Sequence, residues 1–361
     1  MFTALIPVGS RTEASSMMHC SAFTRRSAAA LLSGIAVLLL VSVGGAVADQ
    51  QKLVPAATAW RVTPMFDKNV EARTNLSGAA CVPTTPPFTS CLIANDEKKY
   101  AQFFSIEGTN ITPRAVIRLM DQDAKGDPDA EGVAYDDGYF YVVGSHGRSR
   151  HGDKANDSSY VVFRFPVDRT TGTPPFKVSE DDVVGIDSSP RLRDAIRNGE
   201  VIKEFYDQPL ASGGVNIEGI AVKDGRMHLG LRGPSRNDHA FVLSVDAKAV
   251  FTKNENLNAG VRELKLGKDA GIRDLASVGD GLLVLSGPVN EQEVEPALFH
   301  WNETTESFRK LGELQLPPPL KGKAKAEILL VLNDKTNEPW RVLVMFDGPE
   351  NGAPTEYLVP R

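Results

Sequence analysis

The stretch "DAEGVAYDDGYFYVVGSHGR", residues 129–148, is written again in outline as "NIEGIAVKDGRMHLGLRGP", residues 216–234. Each copy opens on Glu-Gly, an apolar residue and Ala. Each turns at an Asp-Gly pair, returns as an apolar run and ends in a loop with Gly and Arg. Two apolar runs joined by Asp-Gly are the signature of a β-hairpin. The fold can be worked outward from this doubled sentence, because a period of tens of residues marks a repeat architecture.

Aligning the motif on its third position gives five members. They are "NLSGAA" with Ser77, "DAEGVA" with Glu131, "NIEGIA" with Glu218, "GIRDLA" with Arg273 and "KAEILL" with Glu327. Three of the four spacings are 54 or 55 residues and the other is 87. After each opening comes a second apolar run ("CLIANDE", "YFYVVGSHGR", "MHLGLRGP", "LLVLSGP", "RVLVMFDGP"). A third strand-like run follows, and in four units a fourth ("AVIRLM", "VIKEFY", "VRELKL", "FRKLGEL"). Four short strands per 40–55 residues is the pattern of a propeller blade. The expectation is an all-β, five-bladed β-propeller of four-stranded blades, with six blades as the alternative reading of the long interval. The last unit stops after three strands. The N-terminal run "AWRVTPMF", residues 59–66, is expected to complete it, pairing the chain's two ends and closing the ring. The excess in the long interval reads as an insertion around residues 168–200. It carries a surface helix with Ser189 as N-cap, Pro190 at the first turn and Gly199 past its end.

The 361 residues are 42% hydrophobic and 24% charged, with net charge −6, so no basic footprint points to nucleic acid. Residues 1–48 read as a signal peptide. Arg25 and Arg26 precede an uncharged run over residues 27–48 that ends in the small-x-small site Ala46-Val47-Ala48. An uncleaved anchor is the alternative. One propeller domain would then occupy residues 49–361, exported to the periplasm or the extracellular space, with no membrane span left after cleavage. Cys20 lies in the leader. Cys81 and Cys91 flank a Pro-rich turn between two strand-like runs and are expected to form a disulfide.

In a propeller the start of the first strand and the end of the second share one rim. Glu131, Glu218, Glu327 and Arg273 therefore converge at the channel mouth, joined by Asp96, Glu97, His146, Arg148, Arg232 and Asp347. Two readings follow. In one, the acids pair with the arginines and hold loops together. In the other, the rim is a site. Glu131, Glu218 and Asp129 would bind Ca²⁺, and Arg148, Arg232 and Arg273 would hold a small anionic molecule or an envelope component. Glu131, Glu218 and His146 are the catalytic candidates of a metal-dependent hydrolase of esters or phosphoesters. The acidic run "DQDAKGDPDAEG", residues 121–132, leads into Glu131. It fails as an EF-hand, since Lys125 takes a usual ligand position and Gly132 stands at the twelfth. His146 and His151 flank "GRSR", a weak transition-metal spacing. No nucleophile elbow, zinc-protease helix or phosphate loop is present.

The paired segments E-G…S-H-G-R and E-G…G-L-R-G-P resemble the two signature segments of the bacterial family called domain of unknown function 3616, over about residues 75–349. That resemblance implies a propeller-like fold and brings no activity with it. More distantly, the Glu-Gly-apolar-Ala opening is similar to esterase-like phytases and gluconolactonase-type propellers. Those bind a divalent metal near the channel. This likeness covers Glu131 and Glu218 alone, and Arg273 interrupts a full ring of carboxylates.

Overall fold

Strand order follows from which apolar runs can bury both faces. In this protein the runs that form the inner strands of the blades do, and the outer ones are partly exposed. The computed structural model describes residues 51–83, 87–148 and 156–361. Two short strands lead the chain, β1 (Lys52–Leu53) and β2 (Arg61–Val62). The first blade is β3 (Leu76–Cys81), β4 (Phe88–Asn95), β5 (Tyr100–Glu107) and β6 (Asn110–Arg118). The second is β7 (Ala130–Asp136), β8 (Tyr139–Gly144), β9 (Val162–Pro166) and β10 (Asp187–Ser189). The third is β11 (Asn216–Lys223), β12 (Arg226–Gly233), β13 (His239–Asp246) and β14 (Gly260–Lys265). The fourth is β15 (Ala270–Val278), β16 (Gly281–Pro288), β17 (Ala297–Asn302) and β18 (Ser307–Leu314). The fifth is β19 (Lys325–Asn333), β20 (Trp340–Asp347) and β21 (Thr355–Val359).

Each blade is an antiparallel meander, and the five inner strands β3, β7, β11, β15 and β19 neighbour one another in a closed ring. Five apolar clusters fill the five gaps between blades. Phe103, Phe140 and Phe165 pack between the first and second, and Leu229, Phe241 and Leu243 between the second and third. Trp301 and Phe299 pack between the third and fourth, Trp340 and Tyr357 between the fourth and fifth, and Phe104 and Met345 between the fifth and first. A blade sandwiched on both sides needs apolar residues on both strand faces. That explains continuous runs such as "YVVG" and "LLVLS" where a half-exposed strand would alternate.

The ring of five is as expected, but its closure differs in detail. Residues 59–66 do not complete the fifth blade. β2 pairs in parallel with β6 on the outer edge of the first blade. The fifth blade keeps three strands, to which Pro55 adds a single antiparallel bridge at Tyr357, with Ala56 N donating to Glu356 O at 2.8 Å. β1 in turn pairs in parallel with β18 of the fourth blade. The N-terminal segment is therefore a strap across the outer edges of blades four, five and one. Proline explains the shortness of each contact, since Pro55 and Pro64 donate no backbone hydrogen bond and cannot sustain a ladder. Phe66, buried between the fifth and first blades, holds the strap over the seam.

The insertion also differs. "VIKEFY" is no strand. Ile202–Phe205 forms a 3₁₀ turn, and the outer strand of the second blade is the three-residue β10. The helix is Leu192–Asn198, with Gly199 at its C-cap as expected, and Arg191 N donates to Ser189 Oγ at 3.3 Å. Leu192, Ala195 and Ile196 are buried among the residues of the second and third blades, so the helix is a packed element and not a solvated one.

Cys81 and Cys91 are cross-strand partners of β3 and β4 and are joined as a disulfide. Reduction is expected to cost roughly 3 kcal/mol by loop-closure entropy, measurable as a lower chemical-denaturation midpoint with dithiothreitol. No helix among the described residues is long and apolar enough to cross a membrane.

Candidate functional site at the channel mouth

The motif position aligned in the sequence has one structural meaning in all five blades. The ladder between first and second strands skips a residue at Ser77, Glu131, Glu218, Arg273 and Glu327. Each is the extra residue of a β-bulge. A bulge leaves one residue unpaired and re-aims its side chain, and here five bulges turn five side chains to the axis at one rim. All five are buried. The following residue closes the ring. A Cβ on Gly78 would stand 2.5 Å from Gly132 Cα, and one on Gly132 would stand 2.8 Å from Glu218 O. In the fourth blade Asp274 takes the glycine's place. Its carboxylate accepts from Leu275 N at 2.8 Å and from Leu329 N at 2.7 Å, tying blade four to blade five. Gly78→Ala is expected to destabilise by about 1–3 kcal/mol, because the clash is with backbone that cannot step aside. Thermal denaturation checks this.

The charges are unevenly distributed around the ring. On the side of blades three to five, Arg232 Nη1 lies 2.7 Å from Glu218 Oε1. Arg273 Nη2 reaches Glu218 Oε2 at 3.4 Å and pairs closely with Glu327. Burial pulls the Arg273 guanidinium down to about 10, so it remains charged at neutral pH. On the side of blades one and two the picture reverses. Among the described residues no cation stands within ion-pair distance of Asp96, Asp129 or Glu131, and Asp96 Oδ1 has no hydrogen-bond partner. Asp129 accepts a short bond from the Ser145 hydroxyl. Burial, then the neighbouring carboxylates, pushes Asp96 up to about 8. Burial likewise raises Asp129 to about 6, and burial and then Glu218 hold Glu131 well above the usual carboxylate range.

These groups face a cavity of about 240 Å³. Its wall contains Asp96, Asp129, Glu131, Glu218, Glu327 and Asp347 against Arg148, Arg232 and Lys325, with Arg273 paired behind them. Among the described residues these six carboxyls outnumber the four cations. The far end of the channel is a separate opening of about 400 Å³, where Ala80, Ala134, Ala221 and Ala276 stand three residues beyond the bulges and Asn333, Asp334 and Lys335 share the wall.

The convergence of Glu131, Glu218, Asp129, Arg148, Arg232 and Asp347 is therefore present, with Arg273 buried just behind the wall. Arg148 leans outward, its Nη1 donating to Asp207 O at 3.0 Å. His146 is not in the wall. It is 1% exposed, with a left-handed φ of 50°. Its Nδ1 donates to Gly144 O at 2.8 Å, and burial lowers the imidazole to about 4, so it is neutral and set behind the rim. Asp121 and Asp123 of the acidic run are exposed and only its end, Asp129 and Glu131, reaches the cavity. His151 lies outside the described residues. Among those that are described, no three acid, histidine or cysteine side chains are gathered at metal-ligating distances. The donors fit a hard cation in kind, as oxygen ligands, without forming a finished cage. Asn216 and Lys325 were not anticipated in the wall. With Asp129 they stand two residues before the bulge, and that polar position was legible in "DAEG", "NIEG" and "KAEI".

Five meander sheets in a ring with an axial polar mouth define a five-bladed β-propeller. Residues 90–356 match the model of the family described as protein of unknown function (DUF3616), and the chain belongs to that family. No curated protein matches the sequence. Solved structures with a similar course include an exo-β-1,3-galactanase from Phanerochaete chrysosporium with β-1,3-galactotriose, at 10% identity and TM-score 0.44. That match covers 86% of this chain and 64% of the galactanase, so the chain spans less than two thirds of that enzyme. The major allergen Mala s 1 from Malassezia sympodialis is also similar, at 12% identity and TM-score 0.35, covering 79% and 77% of the two chains.

Proposed function

We propose that the protein is an exported binding propeller whose channel mouth takes a small, positively charged ligand, Ca²⁺ among the candidates. The observation that carries this is the asymmetry of the mouth. Arg232 and Arg273 are already engaged by Glu218 and Glu327, while among the described residues no cation pairs with Asp96, Asp129 or Glu131 at the cavity. Mutually repelling carboxylates in a partly desolvated site are relieved by a bound cation. Export is supported by the leader-like residues 1–48 and by the Cys81–Cys91 disulfide, which belongs to an oxidising compartment. A small anionic ligand alone would meet the excess of carboxyls among the described residues of the wall, where Arg232 and Arg273 already pair with Glu218 and Glu327.

Calorimetry with Ca²⁺, Mg²⁺ and Mn²⁺ near pH 7 tests the reading. Binding is expected with proton release, because Asp96 and Glu131 titrate above the usual range and must give up protons to ligate. Absence of heat with these ions and with organic ammonium compounds would remove it.

A metal-dependent hydrolase of esters or phosphoesters is the second reading. It is favoured by one observation: Asp129 and Asp96 titrate near 6 and 8, on either side of neutrality, as an acid–base pair would require. Turnover of a phosphomonoester or ester panel, sensitive to EDTA and abolished in Asp96→Asn, would establish it.

A further inference from the structure

The mouth is too small for a large ligand. Its roughly 240 Å³ lies below the range of about 300–1,000 Å³ typical of pockets for drug-sized molecules. A bare metal ion would satisfy the acids and nothing else, yet the wall has a second, opposite demand. Arg232 is 5% exposed and buried in the third blade. Its Nη1 bonds Glu218 and its Nε donates to Val289 O at 2.6 Å, which leaves Nη2 without an acceptor. Beside it Asn216, 7% exposed, leaves Oδ1 without a donor. More than about 90% of buried polar groups in folded proteins find partners. An unpaired guanidinium nitrogen and an unpaired amide oxygen on one cavity wall therefore mark positions that a ligand fills.

We infer that the mouth is built for a basic amino acid, a molecule with two ammonium groups, one carboxylate and an aliphatic stem; this rests on the cation-binding reading above. The carboxylate accepts from Arg232 Nη2 on the blade-three side. One ammonium donates to Asn216 Oδ1 and Glu131, and the other to Asp96 across the cavity. Leu210, the apolar side chain of the wall, covers the methylene stem. Among the described residues the carboxyls around the mouth outnumber the cations, which calls for a ligand of net positive charge, and a neutral amino acid lacks it. A simple diamine meets the acids but leaves Arg232 Nη2 without an acceptor among the described residues.

The test is calorimetry on the full, unmodified chain with three probes: L-lysine, cadaverine, which is the same molecule without the carboxylate, and CaCl₂. L-lysine is expected to bind one to one and at least about ten-fold more tightly than cadaverine. Asn216→Ala is expected to weaken L-lysine binding while the melting temperature holds. Equal affinity for L-lysine and cadaverine, or binding of Ca²⁺ alone, overturns this inference and leaves the cation-binding reading standing. No binding of any of the three overturns both. The central comparison is between ligands on one protein, so it does not depend on whether an Arg232 variant folds.

Discussion

Arg273→Leu is expected to lower stability by about 3–5 kcal/mol at neutral pH, the largest effect of any single substitution at the mouth. Arg273 is 1% exposed and stands between Glu218 and Glu327. Removing it strands the buried carboxylate of Glu327 and takes one of the two arginines from Glu218. The pH dependence separates this cause from lost packing. In the variant Glu327 loses its counter-charge while Glu218 keeps Arg232, so the folded pKa of Glu327 is expected to rise above the unfolded one. Stability is then fully present below the unfolded value near 4.3 and is lost as pH rises through the folded value. Thermal melts are expected to show a deficit that shrinks on acidification from pH 7 to pH 4.5. A second substitution, Glu327→Gln, is expected to recover part of the loss at pH 7. A deficit of equal size at both pH values, unrelieved by Glu327→Gln, would mean that Arg273 acts by volume alone.

Residues far apart in the chain could be assigned to one rim because a repeat carries its own geometry. Once Ser77, Glu131, Glu218, Arg273 and Glu327 occupy one motif position, ring closure brings them together with no further information. Gly78 and Gly132 stand where inner strands crowd the axis, and no Cβ fits. What the sequence did not expose was the device that aims the side chains. A bulge is a local slip in pairing, and it leaves no mark in a string of residues that alternate normally on either side. The strap was misread because an eight-residue apolar run says that a strand forms and not which edge it meets. That is settled by Pro55 and Pro64, which allow only brief pairing, and by the buried Phe66. His146 was drawn into the site by its place beside the Gly-Arg loop. Its side chain turned inward to Gly144 O, and a left-handed backbone cannot be foreseen from a non-glycine residue. The division of the mouth into a neutralised half and an acid half was half legible. Arg273 interrupts the acids in the sequence, but the partner chosen by each arginine depends on distances that only the folded ring sets.

That division makes Glu131→Gln the most informative substitution, because stability and binding are expected to move in opposite directions. Glu131 is buried, has no cation beside it among the described residues, and titrates above its usual range through burial and the Glu218 charge. Its stabilising contribution is complete below the unfolded value near 4.3 and declines as pH climbs through the higher folded value. At pH 8 the ionised carboxylate is a cost to the fold. Glutamine keeps the shape without the charge, so the variant is expected to melt a few degrees higher at pH 8, by about 1–3 kcal/mol, and close to wild type at pH 5. Affinity for the cationic probes is expected to fall at least about ten-fold at pH 8, since a neutral amide gives an ammonium or Ca²⁺ far less than a carboxylate. A residue kept for the fold alone would lose stability on substitution. One kept for a ligand at the expense of the fold gains stability and loses binding. If Glu131→Gln melts lower than wild type at pH 8 with affinity unchanged, Glu131 is a structural acid and the blade-one and blade-two half of the mouth is not a site.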